Sequence, residues 1–314
     1  MNKVLITPKS FQKFREKPIK MLQEKGYEVI ENQTGRTLTE DELIEYGKSG
    51  VVGVIVGVDP LPASVLTNCD QLKAISKYGV GTDNIDLGKA DELGIQVSKA
   101  MGTNNISVAE LAVGLMFESA RKLSQSVQAV KNFGWGRTIG SELTGKKVAL
   151  IGGGQIGKEV AKRCRGLQME VSIYDPYFND DSFLIEFGVS RSESLDDLLA
   201  DADFVSLHLP VTDDTKHIMN AKTLSQMKET AILINTARGE LVDEKALLSA
   251  LQNGEIAVAA QDVYSQEPPE QGDSLVSLPN FILTPHIGAF TNEAVERMAI
   301  VSTENLITML QGNE

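Results

Sequence analysis

Cysteine is scarce in this sequence. The two that occur in 314 residues, Cys69 and Cys164, form no CxxC and no metal-ligand spacing. They offer no metal site and read as free thiols in a reducing compartment rather than as a disulfide. Long apolar runs are missing as well. None approaches the roughly 20 residues needed to span a bilayer. The N-terminus, MNKVLITPKSF, has one early lysine and a short apolar run broken by Pro8. That is a poor signal peptide and a good first strand. Positive charge is in deficit, with 30 Lys and Arg against 43 Asp and Glu, a net charge of −13. Such a surface repels nucleic acid and anionic lipid, though a local basic pocket can still take a small anion. Short-period repeats and low-complexity tracts are absent too. The expectation is a cytoplasmic protein without nucleic-acid, membrane or metal partners.

What is present is alternation. KVLIT (3–7), YEVIE (27–31), VVGVIVG (51–57), LKAISKY (72–78) and IQVSK (95–99) are separated by helical patterns. One of these opens on Thr39-x-x-Glu42, a capping-box signature. The apolar runs lack in–out alternation, as expected of strands covered on both faces of a parallel sheet. A helical segment runs from about Asn105 to Lys122, followed by the polar, glycine-bearing NFGWGRTIGSELTGKK. A second series follows: KKVALIGGG, EVSIYD, DFVSLHLP, AILINTARG, EIAVAAQDV and FILTPHIG. A last helical pattern covers about Thr291 to Leu310. The pattern predicts an α/β protein of two doubly wound parallel-sheet domains, with the last helix free to return to the first.

VALIGGGQIGKEVAKR contains Gly152-x-Gly154-x-x-Gly157 between an apolar strand and a helical pattern. A second strand then ends in Asp175. This is the βαβ setting that a dinucleotide fingerprint requires, where GxGxxG alone is weak. Gly152 allows the tight turn, Gly154 clears space for a pyrophosphate, and Gly157 lets helix and strand approach. Asp175 can accept hydrogen bonds from the adenosine ribose and repels a 2′-phosphate. The predicted cofactor is therefore NAD. The alternative is a purely structural glycine turn.

Hydride transfer to or from a nicotinamide needs a proton acceptor and a cation for an anionic substrate. Such groups belong just past the C-terminal ends of parallel strands. Arg238 follows AILINTA, Glu267 follows AVAAQDV, and His286 follows FILTP. Arg238 suits a carboxylate. His286 has the intrinsic pKa for proton exchange. Glu267 can fix its tautomer, and Asp262 can bond the nicotinamide amide. Singly, each has a plainer reading as a loop or turn residue; three successive strand ends favour a shared cleft. His208 ends a strand near the expected cofactor edge. His217 reads as a surface or packing residue.

The segments IGGGQIG, INTARGELVDEKAL, DVYSQEPP and LTPHIGAFTNEA resemble the D-isomer-specific 2-hydroxyacid dehydrogenases. ISKYGVGTDNID and NNISVAEL upstream resemble the same family. The resemblance implies a substrate domain from 1–99 plus 285–314, and an inserted NAD-binding Rossmann domain, 100–284. It implies Arg238, Glu267 and His286 as catalytic residues. It places Gln155 and Ile156 at the pyrophosphate and Thr236 and Ala237 at the nicotinamide. Val80 and Gly81 would hold the substrate carboxylate through backbone N–H groups. Trp135 would lie on an arm packed across a homodimer, where a lone core tryptophan is the alternative. The substrate would be a small anionic 2-hydroxy or 2-oxo acid. The overall pattern is similar to phosphoglycerate dehydrogenases without a regulatory domain. However, the arginines which those enzymes carry after the third strand are replaced by VGVDPLP, with Asp59, leaving Lys9, Lys77 and Arg137 as cations. Glyoxylate, hydroxypyruvate or another small 2-oxo acid is equally open, and a non-enzymatic NAD(H)-sensing regulator of the same fold is the minor alternative.

Overall fold

The computed structural model describes residues 2–312. The chain divides into two compact units. One joins the chain up to Asn104 with the segment from Ala289 onward, and the other runs Asn105–Gly288. Among the described residues no helix is long and apolar enough to cross a membrane.

In the first unit the β-branched runs become five parallel strands: β1 (Lys3–Ile6), β2 (Glu28–Glu31), β3 (Val51–Val56), β4 (Ala74–Lys77) and β5 (Gln96–Lys99), in the order β2-β1-β3-β4-β5. The linking helices are α1 (Glu16–Glu24), α2 (Glu40–Lys48), α3 (Ala63–Thr67) and α4 (Leu87–Glu92). Thr39 and Glu42 cap α2 reciprocally, as their spacing predicts. Every residue of β3 is buried, because both faces of the sheet are covered. Leu5, Val54 and Ile75 pack with Val65 and Leu66 of α3 on one face. On the other, Val4, Ile6 and Val52 pack with Met298, Leu306 and Leu310 of a return helix, Asn292–Gln311. Gly53 makes that cover possible: a Cβ there would stand 3.0 Å from methyl groups of both Leu306 and Leu310.

The second unit is a seven-stranded parallel sheet. Its strands are β6 (Lys147–Ile151), β7 (Glu170–Tyr174), β8 (Ser190–Arg191), β9 (Phe204–Leu207), β10 (Ile232–Asn235), β11 (Val258–Gln261) and β12 (Phe281–Leu283), in the order β12-β11-β10-β9-β6-β7-β8. From β6 the chain winds outward to β8, then returns through β9 in the opposite direction. The gap between β6 and β9 is thus the topological switch point, where doubly wound sheets bind ligands. Its helices are α5 (Asn105–Arg121), α6 (Leu123–Lys131), α7 (Gln155–Gly166), α8 (Asp181–Phe187), α9 (Leu195–Asp201), α10 (Ala221–Ser225) and α11 (Glu244–Asn253). Leu115 and Met116 of α5 share one core with Val160 and Cys164 of α7 and with Leu150 and Ile234. The other face packs Ile151, Val205, Leu233 and Ala259 against Leu247 of α11. Cys69 and Cys164 are both buried free thiols, and burial raises the Cys164 thiol to about 12.

Helix α6 lies where the sequence reading assigns nothing, between Lys122 and the polar stretch. It buries none of its residues. Leu123, Val127 and Val130 form an exposed stripe at helical spacing, and Phe133, Trp135 (78% exposed) and Ile139 (91%) follow it. Trp135 is therefore not a core residue.

Candidate active site

The loop after β6 is shaped by steric necessity. Gly152 has φ +103°, and a Cβ on it would come within 2.4 Å of the His208 carbonyl oxygen. A Cβ on Gly157 would come within 2.2 Å of Gly152 O, so α7 could not approach the strand. Nothing stands within 4 Å of a Cβ on Gly154, which caps α7 without any side-chain bond. That open space, faced by the first N–H groups of α7 at Gln155 and Ile156, is what a pyrophosphate needs. Gly153, which the fingerprint leaves unassigned, also has a task. A Cβ there would meet the Phe178 ring at 2.3 Å.

Asp175 stands just past β7. One carboxylate oxygen accepts the Gly153 N–H (2.8 Å) and the other accepts the Tyr177 N–H (2.9 Å). The residue expected at the ribose thus braces the glycine loop. Lys158, the nearby cation on α7, is taken by Asp180 at 2.5 Å and lies over the Phe178 and Phe183 rings. Thr236, after β10, is buried, and its Oγ1 has no hydrogen-bond partner. A buried orphan hydroxyl is costly. Together with the open glycine cradle, it marks a surface built to receive a bound group, and an NAD molecule fits this donor set.

His208 lies beneath the same loop. It is half-buried with its Nδ1 shut from solvent, and burial lowers its pKa to about 3, so it is neutral. Its Nε2 pairs with Ser206 Oγ at 2.8 Å, while Nδ1 is unpartnered. His217 is exposed in a turn and donates its N–H to Glu240 O. Among the described residues no cluster of ligands could hold a metal.

The structure brings Arg238, Glu267 and His286 together within the second unit. His286 Nδ1 lies 2.8 Å from Glu267 Oε2, and Glu267 Oε1 accepts the Tyr264 N–H at 3.0 Å. The bond from Glu267 raises the His286 pKa against an opposing effect of burial. The charges of Glu267 and Asp262 add to the rise and that of Arg238 resists it. Burial pushes Glu267 upward, but the bonds from His286 and Tyr264, with the charges of His286 and Arg238, hold it below its ordinary value. Both partners thus favour the ion pair. Arg238 Nη1 donates to Ala237 O at 2.7 Å, and its own carbonyl accepts from Asn235 Nδ2 at 2.8 Å. Gly239 beside it is obligatory, since a Cβ would lie 2.1 Å from the Tyr264 carbonyl carbon. That contact presses the Arg238 turn onto the loop leading to Glu267. Asp262 is 1% exposed. Its carboxylate, the group expected at the nicotinamide amide, accepts from Thr284 Oγ1 and the N–H groups of Ile287 and Gly288.

Val80 and Gly81 stand in the first unit, on the loop after β4. Their N–H groups donate to no acceptor among the described residues. Lys77 and Asp59 lie beneath this region and are both buried. Lys77 Nζ donates to Gly57 O and to Asn84 Oδ1 (2.7 Å). Asp59 accepts from Thr7 Oγ1 and the Leu38 N–H. Lys77, read from sequence as an available cation, is instead an internal brace.

Residues 113–288 match the family model described as D-isomer specific 2-hydroxyacid dehydrogenase, NAD binding domain. Over 314 residues the chain is 40% identical to a D-3-phosphoglycerate dehydrogenase of Methanocaldococcus jannaschii, with 99% of this chain covering 58% of that protein. It therefore spans little more than half of that relative's length. A hydroxypyruvate reductase of Thermotoga maritima is 39% identical over 281 residues, which cover 88% of this chain and 90% of that one. Among solved structures, the TT0316 protein from Thermus thermophilus superposes with a TM-score of 0.88 at 36% identity, covering 99% of this chain and 97% of that one.

Proposed function

The chain belongs to the D-isomer-specific 2-hydroxyacid dehydrogenase family, and from that membership we propose that it interconverts a small anionic 2-hydroxy acid and its 2-oxo acid with NAD, through Arg238, Glu267 and His286. The observation that carries this reading is the Glu267–His286 bond of 2.8 Å beside the Arg238 charge. With Glu267 holding the Nδ1 proton, Nε2 is left to face the substrate. In oxidation Nε2 takes the hydroxyl proton; in reduction the imidazolium returns it. Arg238 orients the carboxylate and 2-oxygen through its planar donors. Within the first unit, Val80 and Gly81, whose N–H groups meet no acceptor among the described residues, are the donors for a carboxylate. The cofactor's glycine cradle, Gln155, Ile156, Asp175, Thr236 and Ala237 would hold NAD, and the chemistry which NAD supplies when bound is uptake or return of the hydride.

For the distal group we favour an uncharged one, as in glyoxylate or hydroxypyruvate. A phosphate would need a cation, and the loop after β3 presents exposed Val58 while Asp59 and Lys77 are spent internally. Phosphohydroxypyruvate is the second reading, suggested by the name of the M. jannaschii relative. NADH oxidation against glyoxylate, hydroxypyruvate, pyruvate and 3-phosphohydroxypyruvate tests both. Preference for the first two is expected. Tight NADH binding without turnover of any would overturn the enzyme reading in favour of an NADH sensor. We propose further that the exposed stripe of α6 and the Phe133–Ile139 arm pack against a second copy of this chain.

A further inference from the structure

Resting on the reading of Arg238 as the residue that orients the substrate carboxylate, we propose that Asn235 and Gln261 are its positioning pair: two buried amides, one on β10 and one on β11, that fix the turn from which Arg238 projects. Both strands carry apolar side chains until their last residue, ILIN and VAAQ, and those last residues are register partners. Both amides are 0% exposed. Asn235 spans the turn. Its Oδ1 accepts the Ala237 N–H at 3.0 Å, and its Nδ2 donates to Arg238 O at 2.8 Å. A backbone N–H can only donate and a backbone carbonyl can only accept, so these two contacts leave the amide one orientation. The second Nδ2 proton goes to Gln261, whose Oε1 accepts it at 3.1 Å. Gln261 must therefore turn its Nε2 away, and that group has no hydrogen-bond partner among the described residues. An unpaired buried amide is a cost to stability that an apolar side chain of similar size would avoid. The cost falls where the pair sets the Arg238 backbone. Arg238 O also takes the Leu241 N–H, at a longer 3.3 Å, and Gly239 lies close against the Tyr264 backbone. Those contacts hold the far side of the turn, and Asn235 holds the side joined to the sheet.

Asn235→Ser tests this. The shorter hydroxyl can still accept the Ala237 N–H, as in a turn capped by serine, but cannot reach Arg238 O. The value of kcat/KM for the 2-oxo acid should fall by about 100-fold, the scale of a misplaced catalytic group, with the NADH Kd within about twofold. Gln261→Leu is gentler on folding. It exchanges one unpaired amide group for another, on Asn235, so Tm should hardly move while kcat/KM falls by about tenfold. Both losses should run through Arg238. Placed on Arg238→Ala, each substitution should change kcat/KM by less than about threefold, because the group it positions is gone. Losses as large on Arg238→Ala as on wild type would make the amides structural only and overturn the proposal, as would an unchanged kcat/KM in both variants. A second readout needs no turnover. The Arg238 Nε–H signal in a nitrogen-15 NMR spectrum, assigned by its loss in Arg238→Lys, should shift or broaden in both variants. A wild-type protein inactive on every 2-oxo acid would sink the enzyme reading alone. The pair then stands or falls by that signal, and a signal unmoved in both variants overturns it.

Discussion

At the scale of residues, the site is a set of charges whose neighbours decide what each can do. His286→Ala should lower kcat by about 10²–10⁴-fold, the worth of a general acid/base, with NADH binding intact; stopped-flow and fluorescence titration measure the two separately. Arg238→Lys should recover little of what Arg238→Ala loses in KM and kcat, because an ammonium lacks the planar fork. Asp175→Asn keeps an acceptor for the Gly153 N–H but removes the charge. It should relax discrimination against NADP by roughly a hundredfold, since the repulsion is a few kcal/mol at an effective dielectric near 20, as read from the ratio of kcat/KM values. The Glu267–His286 pair gives a pH signature. The Glu267 pKa is lowered, so its contribution to stability is present above about 4.5 and fades as pH falls. The His286 pKa is raised, so its contribution is full below 6.5 and is lost as pH rises through the folded value. The Tm difference between wild type and His286→Gln should therefore be greatest between those limits and small, as both groups are partly exposed. The residues of this site that sequence makes legible are those with fixed spacing, such as Gly152, Gly154, Gly157 and Asp175. Gly153 and Gly239 are not, because what forbids a side chain there, Phe178 and the Tyr264 backbone, comes from elsewhere in the fold. Asp262 illustrates the same limit. Its place at a strand end suggests a ligand contact, and only the folded turn reveals its three donors.

At the scale of elements, periodicity identifies whatever has a core to face. The strands of both sheets, α5, α7 and the return helix follow their apolar patterns. Helix α6 escapes because its stripe of Leu123, Val127 and Val130 meets no core in its own chain, and β8 escapes because it has two residues. Gly53 is the opposite case, a glycine inside a strand whose reason, the return helix, lies far along the chain. Gly53→Val should cost about 1–3 kcal/mol as an overpacking change, seen as a lower Tm, while Val54→Ile on the other face is milder. Thr39→Ala removes one half of the α2 capping box and should cost about 1 kcal/mol.

At the scale of the whole molecule, the proposed homodimer rests on the arm. Trp135 is the only tryptophan in the chain, so its emission reports on the arm alone. In a homodimer it should be blue-shifted and move to the red on dilution, in step with the sedimentation coefficient. Trp135→Ser with Ile139→Ser should shift the equilibrium toward monomer. A wild-type protein that sediments as a monomer at every concentration would remove the dimer.

The first sheet is covered on one face by a helix, Asn292–Gln311, that the ribosome makes after all of residues 105–291. At about 5–20 residues per second, the apolar face formed by Val4, Ile6 and Val52 waits roughly ten to forty seconds for Leu306 and Leu310. The second unit has its whole sequence in hand before the first can close. The nascent chain therefore carries an open hydrophobic sheet for much of its synthesis, and that interval is when it most needs a chaperone.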